Sequence, residues 1–186
     1  MAVQLPEPCS EYALKAGYSN LCEIGKERIR RAATKVSGDL CESNKQMKIG
    51  EEPKAPGDFG FRVFKLDESG IARPEPGQLM LDRIKPDRTD EDIIFEMMLK
   101  WGLELTYTIE KTEINGYECY SVAGDALICC MKPGLTVQTL NEIAELEPDR
   151  VLMLDSILDD TLKLNALQIF KRAEERTQKQ IDLRTV

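Results

Sequence analysis

The sequence predicts an α/β protein: an incomplete Rossmann-like portion over residues 1–36, a linker or loop over 37–58, and an α/β domain with a mixed sheet over 59–186. Three observations predict it. Val3-Gln4-Leu5-Pro6-Glu7 reads as a short strand that feeds a helix, as in the second strand–helix unit of a nucleotide-binding sheet. Asn115-Gly116 sits between two runs with strand character, which is the strongest short hairpin signal because both turn positions need positive φ. After that hairpin, strand, helix, strand, helix and strand follow one another, an order that implies parallel pairing through crossover helices.

The elements follow in order. The first helix is expected from about Glu11 to Val36, with a break near Ser19-Asn20. Leu21, Cys22, Gly25, Ile29, Ala32, Ala33 and Val36 share one face at helical spacing, and Glu27 and Arg31 pair four apart on the outer face. Pro and Gly are dense from Ser37 to Asp58, which predicts irregular chain there. Phe61–Asp67 alternates as a strand, and residues 71–88, with three prolines, form an irregular crossing. Thr89-Asp90-Glu91-Asp92 starts a helix: Thr89 caps, Asp92 lies three residues on, and the acids suit the positive end of the dipole. Gly102 stops it. Its apolar residues run nearly all round, so it is expected to be buried.

Leu105–Ile114 and Tyr117–Val122 form the hairpin arms, and Ala126–Met131 reads as a fully buried strand. A helix at 137–146, a strand at 151–155, a helix at 158–176 with Ser156 and Asp159 as a capping box, and a strand Ile181–Arg184 complete the chain.

Composition narrows function by exclusion. The 186 residues are 42% hydrophobic and 31% charged, with a net charge of −8. Phosphate binding needs a concentrated basic surface, so the chain alone is not expected to bind nucleic acid, and Lys26, Arg28, Arg30 and Arg31 are read as a solvated helix face. No histidine is present, which excludes a Ser-His-Asp triad, a Cys-His pair and a histidine zinc site. The six cysteines have no CxxC spacing and no secretion signal precedes them, so reduced cytoplasmic thiols are expected, with Cys129 and Cys130 as small buried hydrophobes. No apolar run reaches the ~20 residues that span a bilayer. Asp155, Asp159 and Asp160 are explained by capping more simply than by metal binding. The strand ends leave Gln4, Glu7 and Asp67 as candidate ligand contacts at the carboxyl edge of a sheet.

Several segments together resemble the C-terminal part of the modification subunit of type III restriction-modification systems, a family of adenine-N6 DNA methyltransferases. They are Val3–Glu7, Lys15-Ala16-Gly17-Tyr18, Cys22-Glu23-Ile24-Gly25-Lys26-Glu27-Arg28-Ile29-Arg30-Arg31-Ala32, Gly60–Asp67, Ile84–Thr89 and Asn165–Phe170. In that family a catalytic Asp-Pro-Pro-Tyr motif comes first, and a glycine-rich S-adenosylmethionine motif lies near the C-terminal third. This sequence contains neither motif. The resemblance implies that residues 1–36 are the second strand and helix of a methyltransferase sheet, and that Phe61–Asp67 is its third strand. Gln4, Glu7 and Asp67 are then peripheral cofactor contacts, although Gln4 stands where many related methyltransferases have an acid. It further implies a chain that does not bind S-adenosylmethionine or methylate alone. Its partners would be the remaining part of the methyltransferase or a second copy, the restriction subunit, and DNA within the complete enzyme, in the cytoplasm and away from any membrane. The rival reading is a non-enzymatic dimerisation or partner-binding module. An acidic DNA mimic is a third reading.

Overall fold

The computed structural model describes residues 3–46, 52–72 and 84–186. The chain divides into two compact units, Met1–Val63 and Phe64–Val186.

In the first unit, helix α1 spans Glu11–Lys15 and helix α2 spans Leu21–Lys45. The break between them falls where the sequence places it, because Asn20 is an N-cap whose side chain accepts from Glu23 N at 3.1 Å. Beyond Val36 the structure departs from expectation: α2 continues through Ser37-Gly38 to Lys45 instead of ending in a loop. One exposed helical glycine costs only about 1 kcal/mol. Leu40 carries the apolar stripe onward, four residues past Val36. Asn44 then fastens the helix end, donating from Nδ2 to Lys54 O at 2.9 Å and accepting from Lys54 N at 3.1 Å. Farther along, Arg30 lies 5.9 Å from the centroid of the Phe61 ring. From Asn44 back to Arg30 is about 21 Å of helix, and from Lys54 on to Phe61 is about 23 Å of extended chain. The matching lengths mean that residues 54–61 run antiparallel along α2 as a strap.

Two expected strands are absent. Residues 3–7 form no ladder: a Pro8–Asn20 bridge follows them, and Glu7 N turns back to Leu5 O at 2.8 Å. Phe61–Asp67 belongs to no strand either. A strand exists only through its neighbours' hydrogen bonds. Neither segment has a neighbouring strand among the described residues.

The second unit is a mixed α/β fold. Helix α3 spans Asp90–Lys100, and the strands are β1 (Ile109–Ile114), β2 (Tyr117–Val122), β3 (Leu127–Cys130), β4 (Arg150–Met153) and β5 (Asp182–Thr185). Helix α4 (Val137–Glu145) lies between β3 and β4 in the chain, and α5 (Asp160–Thr177) between β4 and β5. The sheet order is β1-β2-β3-β4-β5. β1–β2 and β2–β3 are antiparallel, while β3–β4 and β4–β5 are parallel, as the element order implies. Asn115 and Gly116 take φ of 51° and 74° at the β1–β2 turn.

Period-two alternation sorts the sheet residues into two cores. Cys119, Ile128, Cys130, Val151 and Met153 face α4 and α5, meeting Leu140, Ile143, Ala166 and Phe170. Tyr120, Val122, Leu127, Cys129 and Leu152 face α3, meeting Ile93, Ile94, Met97 and Met98. The sheet is thus covered on both faces, which is why β3 and β4 read as unbroken apolar runs.

Three features differ from the sequence reading. β1 begins at Ile109, not Leu105. α5 begins at Asp160, because Asp159 is the N-cap and accepts from Leu162 N at 2.6 Å, while Ser156 sits in a preceding 3₁₀ turn. α3 is one-sided, since Leu99 is 62% exposed opposite the buried Ile94 and Met98. Its cap is as expected: Thr89 Oγ1 accepts from Asp92 N at 3.2 Å, and Asp92 Oδ2 accepts from Thr89 N at 2.9 Å. The irregular crossing expected over 71–88 lies mostly outside the described residues. Its base is held by an Ile71–Ile84 bridge and by Lys85 N donating to Gly70 O at 2.9 Å.

That base is closely packed. A Cβ on Gly70 would stand 2.9 Å from both Ile93 Cδ1 and Arg88 Cγ. Gly70 N also donates to Glu96 Oε2 at 2.8 Å, and Ser69 Oγ donates to the same carboxylate. Gly70→Ala is expected to lower stability by about 1–3 kcal/mol through overpacking. A urea denaturation curve shifted to lower midpoint at unchanged slope checks it.

Candidate functional site

The three residues singled out from the sequence fall in two units: Gln4 and Glu7 in the first, Asp67 in the second. Gln4 is exposed, and its side chain donates to Leu5 O at 3.1 Å. The main chain beside it is docked on α2, with Cys22 Sγ donating to Gln4 O at 3.4 Å and Leu21 N to Glu7 O at 3.0 Å. The Glu7 side chain is exposed. Asp67 is occupied locally: it accepts from Glu68 N at 2.8 Å and pairs with Arg88 at 2.9 Å. Those two partners, in that order, hold its carboxyl below the usual carboxylate range. Its acceptor sites therefore serve the chain itself.

An open depression of about 480 Å³ in the second unit is lined by Thr89, Asp90, Glu91, Tyr120 and Lys132. Asp90 is its hub. It accepts from Tyr120 Oη at 3.0 Å and from Lys132 Nζ at 2.7 Å, and Lys111 lies 5.7 Å from the centroid of the Tyr120 ring. Burial and then the Asp90 hydrogen bond push Tyr120 up to about 12, so it is a neutral phenol near pH 7. The Asp90 carboxylate raises Lys132, which stays an ammonium. Below this group Tyr117 Oη donates to Lys132 O at 2.5 Å and accepts from Lys132 N at 3.1 Å. The phenol is therefore neutral and the amine charged at neutral pH, and both are turned on the Asp90 carboxylate. It fastens the start of α3 and the end of β3 to the hairpin. Residues 30 and 42 positions apart carry no sequence signal for such a meeting.

The thiols of the second unit are equally quiet. Burial pushes Cys119 up to about 11 and raises Cys129 and Cys130 further, which keeps them as thiols. Tyr117 is also raised, by burial first and then by the nearby Cys130 thiol. All four groups, with Tyr120, ionise less readily folded than unfolded. Their contribution to stability is complete below the ordinary thiol value of 9.0 and declines as pH rises above it. Unfolding free energy is thus expected to hold to about pH 9 and then fall steeply. Urea titrations at pH 8 and pH 10.5 check this; equal midpoints would contradict it. Among the described residues no group of histidine, cysteine, aspartate and glutamate is placed to hold a metal ion. None of their helices is long and apolar enough to cross a membrane.

The remaining feature is the face of α2. Cys22, Gly25, Ile29, Ala32, Ala33, Val36 and Leu40 fall on one stripe at helical spacing. Yet no residue of this 25-residue helix is buried, nor is any described residue of the first unit. Ile29 is 45% exposed and Val36 49%. The opposite face is polar and internally paired, with Glu23–Lys26 at 2.7 Å and Glu27–Arg31 at 2.8 Å. An amphipathic helix of this length draws its stability from packing its apolar stripe. The strap 54–61 meets α2 at Asn44 and Arg30 and leaves every residue of the helix unburied.

No family model matches the chain, and no curated protein matches it.

Proposed function

We propose that the chain is the C-terminal portion of an adenine-N6 DNA methyltransferase of the type III restriction-modification kind, and that its role is scaffold and partial cofactor wall. The observation that carries this reading is the uncovered stripe of α2. That helix bears the Glu23–Arg31 segment, the most specific part of the resemblance, and its stripe of Ile29, Ala32, Ala33 and Val36 suits a helix laid on a sheet. Residues 3–7 and 61–67 have strand-like composition and, among the described residues, no strand to pair with, which is how two strands of a sheet behave when their neighbours are supplied from elsewhere.

Methyl transfer to an adenine amine requires a flipped base and a cradled methyl donor. The catalytic and glycine-rich motifs that do this in the family are not in the sequence. On this reading Gln4, Glu7 and Asp67 line the edge of the cofactor pocket only when those motifs are present. DNA and the restriction subunit are then partners of the complete cytoplasmic enzyme. The test is reconstitution. The chain is incubated with labelled S-adenosylmethionine and an adenine-containing duplex, alone and with a type III modification segment that ends at the glycine-rich motif. Incorporation is expected only in the mixture. Incorporation by the chain alone, or none in a mixture shown to associate, counts against the reading.

A further inference from the structure

We propose that Asn115 is a self-modifying site: its side chain deamidates in the folded chain through attack by the Gly116 amide, and the isoaspartate that forms loosens β1 from the sheet. The inference concerns the second unit and is independent of the methyltransferase reading.

The reacting groups are neighbours at the tip of the β1–β2 hairpin. Ile114 pairs with Tyr117, so Asn115 and Gly116 make up the whole turn. Both are exposed. Among the described residues the Asn115 side chain makes no hydrogen bond, and Gly116 N donates to no acceptor. A Cβ on Gly116 would meet nothing within 4 Å, so the approach to its nitrogen is open. Other asparagines are held. Asn20 accepts from Glu23 N, Asn44 bonds Lys54 twice, and Asn141 donates to Val137 O. Each of these is also followed by a residue whose side chain crowds the attacking nitrogen: Leu21, Lys45 and Glu142.

The step needs only water. Gly116 N gives its proton to solvent and bonds to Asn115 Cγ. The Cγ–Nδ2 bond breaks, ammonia leaves, and a cyclic imide remains. Water then opens the ring. Opening at Cγ gives aspartate. Opening at the main-chain carbonyl carbon gives isoaspartate, in which the backbone runs through Cγ and is longer by a methylene.

The hairpin is built so that this change is felt on one arm. Aspartate tolerates positive φ. Isoaspartate lengthens a turn whose φ values of 51° and 74° set the strand register. Either product also adds a carboxylate. The next pair along the ladder is already Glu113 opposite Glu118, like charges that repel. The two arms are unequally anchored. Tyr117 is buried, its hydroxyl bonds the main chain of Lys132, and β2 pairs with β3 as well. β1 lies at the edge, with β2 as its one neighbour. A failed turn therefore releases β1 and leaves the rest of the sheet in place.

Ageing of the full chain tests this. The folded protein is held in mildly alkaline buffer, digested, and mapped by tandem mass spectrometry that separates asparagine, aspartate and isoaspartate. Conversion is expected at 115 and not at Asn20, Asn44 or Asn141. Hydrogen exchange of the aged chain should be faster across Ile109–Ile114 and unchanged across Leu127–Cys130 and Arg150–Met153. Asn115→Gly leaves a Gly-Gly turn that accepts the same backbone, and should age without either change. An Asn115 that stays intact in the folded chain, whether or not it converts in urea, overturns the inference. So does conversion that leaves β1 exchanging as slowly as in Asn115→Gly.

Discussion

Leu152→Ala is expected to lower the unfolding free energy of the second unit by about 2–5 kcal/mol. Leu152 is fully buried in β4, with β3 and β5 on either side, and it packs in the core facing α3. Removing its side chain loses burial and leaves a cavity in the cluster that also holds Met98, Cys129 and Tyr120, all near zero exposure. Such a site relaxes little: the walls belong to a helix and two strands whose backbones are fixed by ladders on both sides. The measurement is a urea curve followed by near-ultraviolet signal from Trp101, which packs against the same core. A change under about 0.5 kcal/mol would mean that α3 does not sit on this face.

Ile29→Asp is expected to leave the isolated chain almost unchanged and to abolish reconstituted methyl transfer. Ile29 is 45% exposed in the middle of α2, so an aspartate there stays hydrated in the free chain. If a catalytic segment covers the stripe, the same aspartate becomes a buried, unpaired charge, at a cost of about 3–5 kcal/mol. That corresponds to a loss of association of at least about a hundredfold. Arg28→Ala on the polar face serves as the control and should associate normally. The readouts are a thermal melt of the chain alone and a pull-down with the catalytic segment. A melt that drops sharply would show that the first unit buries Ile29 itself, and the proposed role of the stripe would fail.

Local chemistry was legible wherever it acts over a few residues. Asn115-Gly116 dictated its hairpin because few residues accept two successive positive φ values. Thr89 and Asp92 closed a capping box across three residues, and Asn20 split the first helix. The order of strands and helices after Leu127 was enough to place β3, β4 and β5 in parallel. The exclusions that follow from an absent histidine were equally plain in the composition.

Long-range pairing was not legible. The strands expected at 3–7 and 61–67 have suitable residues, but a strand is made by its neighbours, and composition cannot supply a neighbour. Ser37-Gly38 looked like an end to α2, and the helix passed through it to Asn44, which finds its partner in Lys54 beyond it. Trp101 meets Asp182 across 81 positions at 2.7 Å, and Tyr120 meets Asp90 across 30. Residues alone therefore determined the turns, caps and direction of the sheet, because each of those is decided by the backbone within a turn or two. Only the tertiary structure decided which polar groups meet, which strands lie next to one another and which helix stripe is left unburied, because these depend on contacts between distant parts of the chain.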